Sequence, residues 1–326
     1  MGRIRRALAL LATAAMLAPA LAGCGRPAGS RAADGGVVLR IASQRGGTRA
    51  LMEAAGVLDG APYRIEWSEF PSAQTLLEAL GAQAVDAGAV SDAPFLFAYA
   101  SGAKIKAVHA IRSSGSHGVA VVVPGASSIR TPADLKGRRI ATGRGSVGHY
   151  FLLLVLEQAH LKPSDVTVVY LAPGDAKAAL AAGSVDAWVT WTSFIPLATL
   201  YDHARVLIDS RELLDGVAFE AASDEAISTK RAQLDDFLRR LARAERWEDT
   251  HADQYAQVLA KDTGLPLAVA RATVAQRGRS GPVPIDAAIE AQERRVLNLF
   301  QAAGLIDRRP DVHAALDPSF NDSVGP

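Results

Sequence analysis

The chain has 326 residues, nearly half of them apolar, and its 35 Lys and Arg balance 34 Asp and Glu to a net charge of +1. That is enough for about two ordinary domains with a sizeable core, and the dispersed charges, with no basic patch interleaved with aromatics, speak against a nucleic-acid partner. The single cysteine, Cys24, excludes a disulfide framework, a thiolate zinc site and an iron–sulfur cluster.

The first residues read as an export signal rather than as part of a fold. Arg3, Arg5 and Arg6 precede an apolar run over residues 7–20, too short and wrongly flanked for a stable membrane span. Leu21-Ala22-Gly23-Cys24 then places small residues before a cysteine, the pattern of a bacterial lipoprotein cleavage site. Residues 1–24 are therefore expected to form a lipoprotein signal peptide, with Cys24 carrying the lipid. Residues 25–36, rich in Gly, Ala and Arg, read as a flexible tether.

Residues 37–42 form a compact β run, a loop follows over 43–47, and a helix is expected over 48–55. Residues 63–67 alternate like a strand and end in a loop at 68–71; Ser72 then caps a helix over 73–80. Residues 84–90 are strand-like, and Ser91-Asp92-Ala93-Pro94 opens a helix over 95–100, where a proline in the first turn costs nothing. Residues 105–111 are a strand. Strand, loop and helix in alternation predict a mainly parallel sheet whose ligand-binding loops lie at the strands' carboxyl ends.

Residues 118–123 are strongly β and are broken by Pro124-Gly125; residues 131–137 form a capped helical turn. A strand over 139–142 enters a glycine-rich turn, 143–148, and an apolar run over 150–156 follows. This reads as strand, tight loop and buried helix, with Ser146 near the helix start. The first N–H groups of a helix lack internal partners, and the macrodipole leaves that end partly positive, so it favours an anion. Gly145 and Gly148 have no Cβ to hold a ligand off. The same pattern also fits a plain capped helix.

Further strands are expected over 166–171, 185–190 and 205–208, with a helix from 173 to 182. Residues 80–87 and 180–187 share a pattern of helix end, small residues and Val-Asp-Ala entering a strand, which points to two lobes of similar build. Residues 219–222 read as a short strand returning to the first lobe. Helices over 230–248, 252–261, 267–276 and 285–302 follow from the apolar spacing and read as packing for that lobe.

In this order, Cys24 with its flanks, Trp67-Ser68-Glu69-Phe70-Pro71, Asp134-Leu135-Lys136-Gly137, Gly145-Ser146, Tyr170 to Asp175 and Gly183 to Trp188 resemble the periplasmic substrate-binding proteins of ABC importers for aliphatic sulfonates, close to the taurine and nitrate binders. The resemblance spans nearly the whole chain after Cys24. It implies a type II periplasmic binding protein-like α/β fold, with two lobes, a hinge and an interlobe ligand cleft. Lobe one would be residues 37–122 plus 220–326 and lobe two 123–219, with crossings near 122–124 and 218–221.

The resemblance further implies a receptor without catalytic residues, cofactor or metal. Its partners would be a small organic anion, the permease subunits of an ABC transporter, and the membrane through lipidated Cys24; it would act as a monomer at the cell envelope. Matched residue by residue, the binding positions are Gln44, Ser91, Asp92, Gly145, Ser146, His149 and Trp191, with His117 at the rim. Ser43 stands where a tyrosine is usual and Thr192 where an aspartate is usual, two departures that widen the cleft.

A sulfonate is a permanent monoanion with three acceptor oxygens, so it needs donors more than counter-charge. Neutral hydroxyls and helix N-termini make charge-assisted hydrogen bonds to it, whereas a buried arginine would be left unpaired when the ligand departs. Trp191 offers apolar area to an organic tail, and Asp92, which would repel an anion, suits helix capping. Nitrate, taurine, an aryl sulfonate or a pyrimidine precursor of thiamine are alternative ligands. A desulfinase-like enzyme would need a cysteine nucleophile, and the chain after Cys24 has none.

Overall fold

The computed structural model describes residues 36–114, 118–214 and 216–323. The expected signal and tether, Cys24 and His117 lie outside the described residues.

The first lobe begins with β1 (Val38–Gln44), α1 (Thr48–Ala54), β2 (Arg64–Phe70), α2 (Ala73–Gly81), β3 (Ala87–Ser91), α3 (Asp92–Ala100) and β4 (Ile105–Ser114). The second holds β5 (Val119–Pro124), β6 (Arg139–Thr142), α4 (Val147–Gln158), β7 (Thr167–Tyr170), α5 (Pro173–Ala181), β8 (Ala187–Trp191), α6 (Phe194–Tyr201) and β9 (Ala204–Asp209). The chain then returns to the first lobe as β10 (Val217–Ser223), α7 (Asp224–Thr229), α8 (Arg231–Thr250), α9 (Ala252–Thr263), α10 (Leu267–Arg277), β11 (Arg279–Val283), α11 (Ala287–Ala302) and α12 (Val312–Ala315).

The sheets run β11-β4-β10-β3-β1-β2 and β7-β6-β8-β5-β9. β1 is parallel to β2 and β3, and β6 is parallel to β7 and β8. β10 and β5 are each antiparallel to both of their neighbours. Each of these two strands arrives from the opposite lobe and sits one place from the parallel core. The expected crossings near 122–124 and 218–221 fall inside β5 and β10, each of which is already paired within its sheet there. The reason is burial. Val119, Val121 and Val123 pack on one face of the second sheet and Ala120 and Val122 on the other, so β5 needs helices of that lobe on both sides.

The four long helices after β10 lie where their apolar spacing put them. In α8, Leu234, Phe237, Leu238 and Leu241 are buried at helical spacing against Leu39, Ile41, Met52 and Tyr255. β11 was not foreseen. Its Gly281 and Pro282 disfavour a strand, and it survives as an edge strand paired with β4, a position where a proline is tolerated in a sheet.

The two Val-Asp-Ala segments are structural counterparts. Val85 and Val185 are both buried, and each following aspartate clasps the backbone of the neighbouring parallel strand. Asp86 Oδ2 accepts the Arg40 N–H at 2.7 Å and Asp186 Oδ2 accepts the Arg139 N–H at 2.8 Å. The aspartate N–H groups return bonds to the Arg40 and Arg139 carbonyls at 2.7 and 2.8 Å.

Candidate ligand-binding site

A cavity of about 290 Å3 lies between the lobes at the carboxyl ends of the parallel strands. Gln44, Gly47, Thr48, Ser91 and Asp92 line it from lobe one, Val147, Trp191 and Thr192 from lobe two, and Ser113, Gly118, Ser210 and Gly216 from the crossings or beside them. The walls follow from the topology. β1 and β3 stop at this rim, and α1 and α3 start from it; in lobe two α4 starts there and β8 ends there. Three helix N-termini, from both halves of the molecule, therefore meet one cavity. One first-turn N–H of each is taken by a side chain, Arg49 by Ser43, Ala93 by Asp92 and His149 by Ser146, and the other first-turn N–H groups with the positive dipole ends favour a negative group.

Side-chain donors supplement the backbone. Ser91 precedes α3 without making a side-chain cap bond, so its hydroxyl is free of the usual duty of an N-cap serine. Thr48, in the first turn of α1, is buried at the cavity wall. The Gln44 amide donates to the Ala89 carbonyl at 3.3 Å, which holds it across the rim of β3. Trp191 packs on the first turn of α4, where a Cβ on Gly148 would lie 3.0 Å from its ring. Thr192 adopts a left-handed φ of 48° and donates its N–H to the Gly118 carbonyl at 2.8 Å, tying this wall to the crossing.

Asp92 lines the cavity, but its carboxylate is engaged elsewhere. Oδ1 accepts the Ala93 N–H at 2.6 Å and Oδ2 accepts the Gln292 amide at 3.1 Å. Gln292 in turn accepts from Arg112 at 3.3 Å. The expected capping role at the start of α3 thus joins a tie to α11.

The structure brings Gln44, Ser91, Asp92 and Trp191 to one cavity and leaves Gly145, Ser146 and His149 outside its wall; their neighbour Val147 is the lining residue. Ser146 caps α4 by accepting the His149 N–H at 3.1 Å and spends its own proton on the Gly143 carbonyl at 2.7 Å. The hydroxyl is therefore not available as a donor. Gly145, at φ 66°, faces the Phe97 ring of α3, 2.6 Å from where a Cβ would sit. Its missing side chain admits an aromatic ring from the opposite lobe rather than a ligand.

His149 Nδ1 accepts the Gly145 N–H at 3.2 Å, and its ring packs edge-on to Tyr170 and 6.1 Å from Phe300. Burial, with the Arg144 charge adding to it, lowers its pKa to about 4, so the imidazole is neutral at physiological pH. This stretch forms a bearing between the lobes beside the cavity. Sequence alone registers the glycines and the helix start; it does not say which neighbour fills the space the glycines leave.

Sequence reasoning also passed over Glu220. It lines the cavity from β10, is 1% exposed, and among the described residues neither carboxylate oxygen has a hydrogen-bond partner. Burial, reinforced by Glu245, pushes its pKa well above the usual carboxylate range.

The NMT1/THI5-like family matches residues 68–254. An aliphatic sulfonates-binding protein of Escherichia coli K12 is 32% identical over 277 residues, 84% of this chain and 86% of that protein. The chain belongs to this family, together with the aliphatic sulfonate-binding proteins. Its fold is theirs. The alkanesulfonate-binding protein SsuA from Xanthomonas axonopodis pv. citri, solved bound to MOPS, superposes with a TM-score of 0.81 at 33% identity, covering 86% of this chain and 98% of that one. The periplasmic aliphatic sulphonate binding protein SsuA from Escherichia coli gives 0.78 at 31%, covering 86% and 92%. The desulfurization enzyme DSZB shares the fold more distantly, with a TM-score of 0.65 at 19% identity over 88% of this chain and 98% of that one.

Proposed function

We propose that this chain is the extracytoplasmic receptor of an ABC importer, capturing an alkanesulfonate-type anion in the interlobe cavity and presenting it to the permease. The observation that carries the reading is the meeting of the α3 and α4 starts, from opposite lobes, at the outer end of one cavity, where the side-chain donors Thr48, Ser91 and Gln44 are neutral. Such a site needs no counter-ion when empty, and it strengthens its hydrogen bonds when an anion enters. Ser91, Thr48 and the Gln44 amide hold the headgroup, and Trp191 covers the tail. Ligand that touches both lobes favours the closed form by its differential affinity for that form. The chain acts by binding and not by turnover; its one cysteine, Cys24, precedes β1. Cys24 serves as the lipid anchor at the membrane face, and the chain works as a monomer.

The test is thermal unfolding against a panel of alkanesulfonates, taurine, aryl sulfonates, nitrate and pyrimidines. A true ligand at about 100-fold excess over Kd adds about 2.7 kcal/mol of stability. Ser91→Asp keeps an N-cap residue of equal quality while placing a negative charge at the anion site, so the empty protein keeps its stability and the sulfonate shift disappears. An unaltered shift in Ser91→Asp, or turnover of any panel member, overturns the reading.

A further inference from the structure

The cavity has two electrically different ends. Its outer end is the meeting point of helix starts described above. Its inner end runs into lobe one, between the sheet and α8, α9 and α10, where Glu220, Glu245, Glu248, Tyr255, Thr273 and Arg277 line it. Two of the three carboxylates there have protein partners. Glu248 accepts from Arg277 Nη1 at 2.9 and 3.1 Å, and Glu245 lies 3.1 and 3.2 Å from His109 Nε2. Among the described residues, none hydrogen-bonds the Glu220 carboxylate.

Buried polar side chains are almost always partnered, and a buried unpaired carboxyl is costly. Glu220 is the exception here: it lies in the cavity lining, 1% exposed, and among the described residues neither of its buried oxygens has a hydrogen-bond partner. Its placement is local and firm. On β10 it is the residue opposite His109 of β4 and Ala89 of β3, at a register shift in the β10–β4 ladder. Bulges of this kind re-aim side chains next to functional sites.

The distance between the two ends can be read from the same ladder. Ala218 pairs with Ser91 and Glu220 with Ala89, so Glu220 stands two strand residues, about 7 Å, below the serine at the anion end. A cavity with a donor-rich end and an unanswered acid that short distance away is complementary to a zwitterion.

Building on the anion-receptor reading above, we propose that the inner chamber is a cation subsite anchored by Glu220, and that the preferred ligand is a short ω-aminoalkanesulfonate whose ammonium group supplies the counter-charge the chamber lacks. On binding, Glu220 is ionised and pairs with the ammonium; where the empty protein holds it protonated, that proton leaves to solvent as the ligand enters. A plain alkanesulfonate satisfies the outer end only and leaves a methyl group against the acid.

The experiment compares homotaurine with butanesulfonate, which replaces its ammonium by a methyl at the same chain length. Binding to the purified full-length chain is measured by calorimetry in phosphate buffer, free of sulfonates and amines. Homotaurine is expected to bind roughly tenfold or more tightly than butanesulfonate, the scale of a buried charge pair. E220Q, which keeps shape and burial, is expected to erase that preference by weakening homotaurine while butanesulfonate stays within about twofold. Equal affinities in the wild-type chain, a preference for butanesulfonate, or parallel loss of both ligands in E220Q overturns the cation subsite. Should E220Q fail to fold, the wild-type pair still decides. Failure of both ligands to bind the wild-type chain overturns the anion-receptor reading beneath it.

Discussion

The two lobes are built to the same plan from different sequences, and they differ in how each part of the plan is secured. Both sheets place a parallel trio beside an antiparallel strand that comes across from the other lobe, β10 in one and β5 in the other. Both close the helix-to-strand turn with a left-handed residue, a buried valine and an aspartate that grips the next strand. In lobe one, however, Asp86 is buried and gathers Arg40 at 2.6 Å and Lys230 at 2.6 Å, the latter beside the long C-terminal helices. In lobe two, Asp186 is half-exposed, with Arg139 at 3.5 Å and largely in solvent. The clasp is a hub in the lobe where Lys230, at the start of α8, reaches it.

That difference yields the largest expected effect. Asp86→Ala strands two partly buried cations and a backbone N–H, a loss of about 3–5 kcal/mol for breaking a buried ion network. Asp186→Ala removes one backbone acceptor and a solvent-screened pair, about 1 kcal/mol. Urea unfolding of the two variants measures both. Equal losses would show that burial and the Lys230 contact add nothing to the shared clasp.

The lobes also differ in how pH acts on them. His149 of lobe two has a pKa lowered to about 4 by burial and by Arg144. The unfolded chain therefore takes up a proton on this residue near pH 6.5 that the folded chain refuses until about pH 4. Stability from this site is complete above pH 6.5 and declines as pH falls towards 4, by about 3 kcal/mol. His149→Phe should flatten that decline.

Lobe one carries the opposite liability. Glu293 on α11 is buried with neither oxygen partnered among the described residues, and burial, with Asp92 adding to it, pushes its pKa well above the carboxylate range. Its contribution is complete below the pKa of an unfolded glutamate and is lost as pH rises through its folded pKa. Glu293→Gln should gain stability relative to the wild-type chain at pH 8 and lose that advantage at pH 4. Urea midpoints across this range test both variants. A wild-type acid slope that survives in His149→Phe would place the acid-sensitive group elsewhere.

What the sequence disclosed follows the same divide. The parallel strands, the helix starts at Ser91 and Ser146, and the four C-terminal helices were legible because each depends on local pattern: an apolar period, a cap, a glycine stop. The place of β5 in the second sheet was not, since a fully buried valine run fits either sheet equally well by itself. At the site, Gln44, Ser91 and Trp191 were legible as residues at strand ends. Gly145 was expected to let a ligand approach the backbone, but the group beside it is the ring of Phe97, almost 50 residues earlier in the chain. Glu220 gave no signal, because an acid within an apolar strand declares its role only when the neighbours on β4 and α8 are known.

The smallest effect concerns the turn that the two lobes share. The residue after the α2 and α5 ends is left-handed in each, Gln83 at φ 60° and Gly183 at φ 69°. Lobe two uses glycine, which pays no steric cost there; lobe one holds a side chain in a conformation that costs about 1–2 kcal/mol. No heavy atom lies within 4 Å of a Cβ built on Gly183, so Gly183→Ala tests backbone strain alone and should cost about 1 kcal/mol. Gln83→Gly should relieve the strain but lose part of the gain to the freer unfolded chain, leaving a net stabilisation below about 1 kcal/mol. Melting temperatures of the two variants should therefore move in opposite directions. Movement in the same direction would mean that Gln83 makes contacts outweighing its backbone strain, and that the two turns are alike in shape but not in energetics.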